Sequence, residues 1–261
     1  MPLVSINTAT FNGIDLASVS GLTILATNPY EPAMRRLMLD DLARSDLAKV
    51  SSAFYTKKSI VVQVGITRAT RDLVEQSVDS LMTILQATEK YLVIKQSGST
   101  RKYTCTYQST NMKIDGGSYV EMQLVFETSD HFGYDINPTL LLQVTGFTSG
   151  QSTNAITVGG SAPWQVPVIT ITMSSVAGSG TRAIIVGNGA TGQAVTISRS
   201  WTAGDVIVIN ASTQSIKVNG AEVTSSGAIP EFAPGVNYLT YTDNFTARTF
   251  SLTAVYNKRY V

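Results

Sequence analysis

Short runs of apolar residues at every second position, separated by glycine, asparagine or proline, fill most of this sequence. In one such run, Ile60, Val62, Val64 and Ile66 alternate with Val61, Gln63 and Gly65. Alternation with a period of two places one set of side chains on one face of a strand. Serine and threonine together contribute 59 of the 261 residues, which favours strands and turns. The sequence therefore predicts a mainly β fold.

The spacing of apolar residues changes from every second position to a helical spacing in one segment of the chain. In that segment the apolar residues at helical spacing are Val74, Val78, Leu81 and Leu85. Asp72 and Glu75 stand three residues apart, the spacing of a helix N-terminal cap with its returning carboxylate. These features predict a single helix from about 72 to 87.

Turn signals define the strands around that helix. Asn12-Gly13 is typical of a type I′ hairpin turn, in which both central residues need positive φ. Further strands of the first half are predicted at 59–66, 91–95, 101–108 and 118–128. The stretch 43–58 has no clear period, so we expect a long loop there. Loops of that length are usually functional, which makes 43–58 a candidate interaction arm.

Charge divides the chain into two parts. Residues 1–135 hold 27 of the 37 charged side chains, and the remainder is rich in Thr, Ser, Gly and Val. The change falls at 129–138, and it predicts one domain at 1–136 and a second, all-β domain at 137–261. Eight strands with short connections, typical of a sandwich or jelly roll, are predicted in the second domain: 139–147, 166–173, 182–186, 194–199, 205–210, 215–219, 236–242 and 249–256.

Composition and charge narrow the range of partners. The net charge is +1 at pH 7, and no run of basic residues exceeds two, so we expect no sequence-specific nucleic-acid partner. We see neither a secretory signal nor the roughly 18 consecutive apolar residues of a membrane-spanning helix. With a single cysteine, Cys105, we expect no intrachain disulfide and synthesis in a reducing cytoplasm.

A glycine motif and a lone histidine are the features nearest to known chemistry. Gly187, Gly189 and Gly192 match the dinucleotide fingerprint G-x-G-x-x-G. That fingerprint requires a helix to follow, whereas a strand-like sequence follows here, so we interpret the motif as a hairpin turn. The single histidine, His131, excludes a two-histidine metal site, and no serine lies in a G-x-S-x-G context. We interpret His131 as a polar residue at the domain boundary.

The remaining candidates also have structural interpretations. Cys105, between Tyr103 and Tyr107 on one strand face, is predicted to be a small buried side chain. The acidic pairs that a glycosidase would need are expected to face water: Asp40-Asp41, Glu121 with Glu127, and Asp130 with Asp135. Trp164 and Trp201 could stack on sugars, but such residues more often fill a core or an interface. We therefore predict no catalytic, cofactor-binding or metal-binding residue, and a structural, non-enzymatic role.

Two stretches resemble one known family. In the second half, GDVIVINASTQSIKVNGAEV (204–223) is followed by PEFAPGVNYLTYT (230–242) and by a last strand with Val255 and Tyr256. This order resembles the C-terminal β-domain of siphophage distal tail proteins. In the first half, KSIVVQVGIT, a helix TRDLVEQSVDSLMTILQ, YLVIK and RKYTCTY follow as in the ring-forming N-terminal domain of that family. The closing VFETSDHFGYD is similar to its domain junction, although the usual Asp-Pro is absent.

The resemblance implies a role in virion assembly. Residues 1–136 would form a homohexameric ring at the end of a long non-contractile tail, with 43–58 and 59–66 as candidate subunit contacts. One face of the ring would contact the tail-tube protein and the other the tail-tip hub, leaving a channel for DNA. Tape-measure or receptor-binding proteins are further expected partners. Residues 137–261 would project outwards as a galectin-like or carbohydrate-module-like sandwich. Assembly would take place in the host cytoplasm.

Three other functions remain open from the sequence. A major tail-tube subunit would share the ring-forming domain. A carbohydrate-binding adhesin would bind host glycans through its second domain, and a tail-associated hydrolase would cleave them. Whether the second domain binds glycan or only protein is left open, as are the residues that line the channel.

Overall fold

The computed structural model describes residues 8–28, 35–41, 48–96 and 99–261, and for 35–41 and 48–54 it describes the backbone alone. The chain divides into two compact units. The first consists of Met1–Ile136 with Val261, and the second of Asn137–Tyr260. Both are built from antiparallel strands.

The first unit is an antiparallel sheet packed against one helix. Its strands are β1 (Thr8–Phe11), β2 (Ile14–Asp15), β3 (Leu22–Thr27), β4 (Arg35–Asp41), β5 (Ala48–Tyr55), β6 (Ser59–Thr67), β7 (Lys90–Gln96), β8 (Ser99–Asp115), β9 (Tyr119–Thr128) and β10 (Gly133–Asp135). The sheet order is β2-β1-β7-β8-β9-β6-β3, and β10 pairs with β8. β4 and β5 form a separate two-stranded ribbon.

The predicted hairpin at Asn12-Gly13 is confirmed. Phe11 on β1 pairs with Ile14 on β2, which leaves two residues in the turn. Asn12 has φ 52° and Gly13 has φ 80°, as a type I′ turn requires. Glycine and asparagine tolerate this left-handed backbone conformation at low cost, which explains their presence in this turn.

Helix α1 (Arg71–Leu85) covers the apolar face of the sheet and packs against β6 and β9. Its length is close to the predicted 72–87, and Val74 and Leu81 are buried as expected. The predicted cap at Asp72 is wrong. Thr70, in an extended conformation, is the N-cap, and its Oγ1 accepts a hydrogen bond from Leu73 N at 3.5 Å. Asp72 already lies inside the first turn, where its charge complements the helix dipole.

The predicted loop at 43–58 is wrong for half of its length. Ala48–Tyr55 is strand β5, paired with β4 from Arg35↔Tyr55 to Asp41↔Ala48. Residues 42–47 lie outside the described part of the chain. A two-stranded ribbon is joined by backbone hydrogen bonds, so its side chains need not alternate against a core. A bulge in β5 at Ser51, which lies between the pairs Met38↔Ser52 and Leu39↔Val50, disrupts the period further.

The second unit is a sandwich of two antiparallel sheets. Its strands are β11 (Thr139–Phe147), β12 (Gln151–Val158), β13 (Val168–Ala177), β14 (Arg182–Asn188), β15 (Gln193–Arg199), β16 (Val206–Asn210), β17 (Ser215–Val218), β18 (Ala221–Glu222), β19 (Ser226–Gly227), β20 (Gly235–Asp243) and β21 (Ala247–Tyr256). A last short strand, β22 (Arg259–Tyr260), belongs to neither of these two sheets. One sheet has the order β11-β21-β13-β16-β17-β18 and the other β12-β20-β14-β15-β19.

A single apolar core fills the space between these two sheets. Ile171 on β13 and Ile207 on β16 face it from one sheet, and Ile184, Val186 and Leu239 face it from the other. All eight predicted strands are present in this unit. Together with the sheet of the first unit, this sandwich confirms the mainly β fold class.

Candidate assembly surfaces

Cys105 is a core residue. Its side chain on β8 is fully buried, and Tyr103 on the same strand is buried beside it. Burial raises the pKa of the Cys105 thiol to about 12, so the thiol stays protonated at neutral pH. A protonated, buried thiol is a poor nucleophile. The prediction of a small buried side chain at this position is confirmed.

His131 lies between β9 and β10 and is partly exposed. Its ring meets Phe132 edge-on, with the ring centroids 6.1 Å apart. The buried Nδ1 of His131 makes no hydrogen bond to any described residue. A catalytic triad needs an acidic or carbonyl partner at that nitrogen, so the geometry around His131 does not match one.

Of the three acidic pairs, Glu121 and Glu127 lie far apart in the structure. Glu121 accepts hydrogen bonds from Gln63 and from Tyr119 Oη, the latter at 3.1 Å. Glu127 lies six residues further along β9, about 20 Å away at strand spacing, and its carboxylate is 3.8 Å from Lys57 Nζ. Among the other acids, Asp130 accepts a hydrogen bond from Tyr134. The side chains of Asp40-Asp41 lie outside the described atoms.

The glycine motif is a turn between antiparallel strands. β14 ends at Asn188 and β15 begins at Gln193, with the two strands paired from Arg182↔Arg199 to Asn188↔Gln193. Gly192 has φ 74°, which favours glycine at the end of this turn. No helix follows, and the interpretation as a hairpin turn is confirmed.

The two tryptophans have different environments. Trp201 is 8% exposed, and its Nε1–H donates a hydrogen bond to the carbonyl of Arg182 at 2.8 Å. It therefore fills the core of the second unit, as tryptophan usually does. Trp164 is 54% exposed on the connection between β12 and β13.

The described ranges contain no cluster of three or more His, Cys, Asp or Glu side chains arranged to hold a metal ion. Within the same ranges, no helix has the length and apolar character needed to cross a membrane.

The stretch 204–223 contains the dipeptides Gly204-Asp205 and Asn219-Gly220, which we call the GD…NG motif, and a buried carboxylate links them. Gly204-Asp205 precedes β16, and Asn219-Gly220 forms the turn after β17. Asp205, 4% exposed, accepts hydrogen bonds from Asn219 Nδ2 at 2.8 Å and from Thr202 N at 2.9 Å. Asn219 Oδ1 in turn accepts from Val206 N at 2.9 Å. The motif residues therefore hold one end of the β16–β17 hairpin together.

Two buried asparagines, Asn188 and Asn237, explain the PGVN sequence at 234–237, which belongs to the stretch 230–242 noted above. Asn237 Nδ2 donates to the carbonyls of Ala233, at 2.7 Å, and Gly235, at 3.2 Å. Asn188 Nδ2 donates to Asn237 Oδ1 at 3.1 Å and to the carbonyl of Glu231 at 2.9 Å. These amides replace water as partners of the loop backbone before β20. The motif therefore has a structural role in fixing this loop.

Besides the two-residue strand β2, which ends the sheet on one side, the sheet of the first unit has two longer edges that are unpaired among the described residues. β3 is the last strand of the sheet order, and residues 106–115 of β8 pair with β9 alone. Apolar side chains project at both edges: Leu25 on β3 is 41% exposed, and Met112 and Ile114 on β8 are 54% and 50% exposed. Strand β6, a predicted subunit contact, lies inside the sheet between β9 and β3 and has no free edge.

Comparison with known proteins identifies a family for part of the chain and several solved structures of similar fold. Residues 159–260 match the family of siphovirus-type tail components, C-terminal domain. No curated protein sequence matches the chain. The solved structure of the Dit protein (gp 19.1) of phage SPP1 has a TM-score of 0.77 and 15% identity, over 98% of this chain and 100% of that one. It is described as a paradigm of the hub adsorption apparatus in phages that infect Gram-positive bacteria.

Two structures of the phage P2 baseplate in its activated conformation are more distant. The one with Ca has a TM-score of 0.49 and 9% identity, over 98% of both chains. The one with Sr has a TM-score of 0.46 and 10% identity, over 96% of this chain and 98% of the other.

The family match and the fold agree with each other. Asp205, Asn219 and Asn237, whose side chains organise the second unit, all lie within the matched range 159–260. The likeness to the SPP1 protein covers both units. The resemblance to siphophage distal tail proteins is thereby confirmed: residues 159–260 match the C-terminal domain of siphovirus-type tail components, and the chain has the fold of the SPP1 Dit protein.

Proposed function

We propose that this protein is the distal tail protein of a long-tailed, non-contractile phage, a non-enzymatic component of the baseplate hub. Six copies form a ring that joins the tail tube to the tail-tip hub and leaves a channel for DNA. Tape-measure or receptor-binding proteins contact the same assembly. The observation that carries this proposal is the likeness of the chain, over its whole length, to a solved hub protein of a phage tail.

The sheet edges of the first unit supply the contacts that a ring needs. A closed ring of more than two identical subunits uses head-to-tail contacts, in which two different surfaces meet. β3 and the 106–115 part of β8 are two such surfaces, and both carry exposed apolar side chains. An unpaired strand edge with exposed apolar residues favours pairing with another chain. We therefore assign the ring contacts to these two edges.

Size-exclusion chromatography coupled to light scattering, followed by electron microscopy, tests the ring. The wild-type chain is expected to elute as a hexamer and to appear as closed rings. Ile114→Asp places a charge at the β8 edge and should yield monomers. Leu140→Asp, at a residue 54% exposed in the second unit, is the matched control and should still form rings. A monomeric wild type at micromolar concentration would contradict the proposal, and open filaments would favour the tail-tube alternative.

We expect the first unit alone to form the ring and the second unit to be monomeric. A fragment of residues 1–136 should form the ring without the second unit, because both proposed contact edges lie in it. A fragment of residues 137–260 should be a monomer with the circular dichroism of a β protein. Light scattering on each fragment measures this. An oligomeric second fragment beside a monomeric first one would reverse the assignment of roles.

A further inference from the structure

One arginine joins the start of helix α1 to the end of strand β8. Arg71, the first residue of the helix, donates hydrogen bonds from Nη1 to Asp115 Oδ1 and from Nη2 to Asp115 Oδ2, the latter at 3.4 Å. Its Nη1 also donates to the carbonyl of Gly116 at 3.3 Å, and its Nε donates to Glu75 Oε1 at 2.8 Å. Asp115 is the last residue of β8, and Gly116 begins the turn to β9. A single guanidinium therefore holds a strand end that lies 44 positions further along the chain.

The strand segment that Arg71 holds is weakly fixed by its sheet. Residues 106–115 of β8 pair with one neighbouring strand among the described residues, and bulges interrupt that pairing at two positions. Two glycines, Gly116 and Gly117, follow the segment, and glycine loses more backbone freedom on ordering than any other residue. The contacts of Arg71 with Asp115 and Gly116 therefore restrain a part of the chain that would otherwise be mobile.

The ion pair is exposed, so it orders the strand end more than it stabilises the fold. The side chains of Arg71 and Asp115 are 43% and 46% exposed, and an exposed ion pair contributes little to global stability. A guanidinium that binds both oxygens of one carboxylate nevertheless fixes the direction of its partner as well as the distance. Holding a contact segment in its bound conformation lowers the entropy lost on association.

We propose that Arg71 is a positioning residue for ring assembly, which holds the β8 edge in the conformation that meets β3 of the neighbouring copy. The exposed Met112 and Ile114 of that edge lie within three residues of Asp115, so the position of Asp115 determines where they project. This inference rests on the proposed ring and on the assignment of its contacts to these two edges. Because salt screens an exposed ion pair, part of the stability of the ring should decrease as the ionic strength rises.

The concentration at which the ring of the full chain dissociates, measured by light scattering over a dilution series, tests this proposal. Arg71→Gln should raise that concentration about threefold or more. Arg71→Lys keeps the charge but cannot bind both carboxylate oxygens in the same way, so it should recover part of the loss. The difference between wild type and Arg71→Gln should be smaller in about 1 M than in about 0.05 M sodium chloride. Lys217→Gln, which removes one positive charge at an exposed position of β17, is the matched control.

Two further measurements show whether Arg71 acts through Asp115. In an Asp115→Ala background, Arg71→Gln should have little additional effect on ring dissociation, because both changes remove the same pair. Hydrogen exchange of peptides that cover 109–118, measured on dilute and dissociated samples, should be about threefold or more faster in Arg71→Gln. Urea unfolding of the same variant should hardly change, which separates loss of the ring from loss of the fold.

Three results would overturn the proposal and leave the ring standing: unchanged ring dissociation in Arg71→Gln, additive effects of Arg71→Gln and Asp115→Ala, or unchanged hydrogen exchange at 109–118. A monomeric wild type would remove the ring itself, and this inference with it. The oligomeric mass of the wild type therefore reports the proposed function, and the response of the variants reports the role of Arg71.

Discussion

Removing the carboxylate of Asp205 should destabilise the second unit strongly. Asp205 is 4% exposed and accepts one hydrogen bond from Thr202 N and one from Asn219 Nδ2. Asp205→Ala leaves both donors without a partner in a buried place. Each unsatisfied donor costs about 1–3 kcal/mol, so the two donors together should cost about 2–6 kcal/mol in the free energy of unfolding. Asp205→Asn keeps one acceptor and should lose about half as much.

The destabilisation caused by Asp205→Ala should become smaller as the pH falls. Burial alone would raise the pKa of Asp205, but the hydrogen bonds from Thr202 and Asn219 outweigh it and lower the pKa. A lowered pKa in the folded state contributes stability above the pKa of the unfolded chain, about 3.9 for aspartate. That contribution is lost as the pH falls through the folded value. The difference between wild type and Asp205→Ala should therefore be full at pH 7 and shrink below about pH 4.

Urea unfolding followed by tryptophan fluorescence is a suitable assay, because Trp201 lies in the core of the same unit. Glu222→Gln, at an exposed acid in that unit, is the matched control and should change stability by less than about 0.5 kcal/mol. A loss below about 1 kcal/mol for Asp205→Ala at pH 7 would refute the reasoning. So would a difference that stays constant down to pH 3.

Three further expectations follow from the described contacts. Cys105→Ala should lower the free energy of unfolding by about 1–2 kcal/mol in urea titrations and leave ring formation intact, because the buried thiol only fills space. His131→Gln should leave both stability and virion infectivity unchanged. Lost infectivity with intact folding would reopen an enzymatic role. Limited proteolysis, read by mass spectrometry, should cut first near residues 136–138, where the two units meet along the chain.

Strands that bury one face were predictable from the sequence. Val120, Met122, Leu124 and Phe126 on β9 are all buried, as their alternation predicts. β12 was missed because its inward positions begin with Ser152 and Asn154, so the apolar alternation covers only the end of the strand. Polar side chains at the rim of a sandwich carry no signal that distinguishes a strand from a loop.

The contact edge of β8 was missed for a different reason. The predicted strand ended at 108, whereas β8 continues to Asp115. Bulges at Gln108 and Lys113 shift the register and interrupt the period of two. The alternation of Met112 and Ile114 is the one signal that could have extended the strand. These two side chains lie at a free edge because β7 begins at Lys90 and therefore pairs with β8 only as far as Cys105. Periodicity within one segment gives no information about which distant segment pairs with it.

The same limit applies to the GD…NG motif. Each dipeptide is a recognisable turn signal, but the hydrogen bond between Asp205 and Asn219 joins residues 14 positions apart. It forms only because β16 and β17 pair in the register Ile207↔Val218. The family resemblance identified these two dipeptides from the sequence alone, but the hydrogen bond that explains them is seen only in the structure.

A buried ion pair joins the end of β20 to the start of β21 and has a consequence at high temperature. Arg248 and Asp243 have side chains 11% and 0% exposed, with their charged atoms 2.8 Å apart, and Arg248 also donates to the carbonyl of Thr148 at 3.3 Å. The hydration of ions becomes less favourable on heating, so the cost of keeping this pair away from water decreases. The end of the sandwich that contains Arg248 should therefore be the last to open in the heat. The opposite end, where asparagine amides hold the loop before β20, has no charged pair of this kind among its described contacts and should lose its order first.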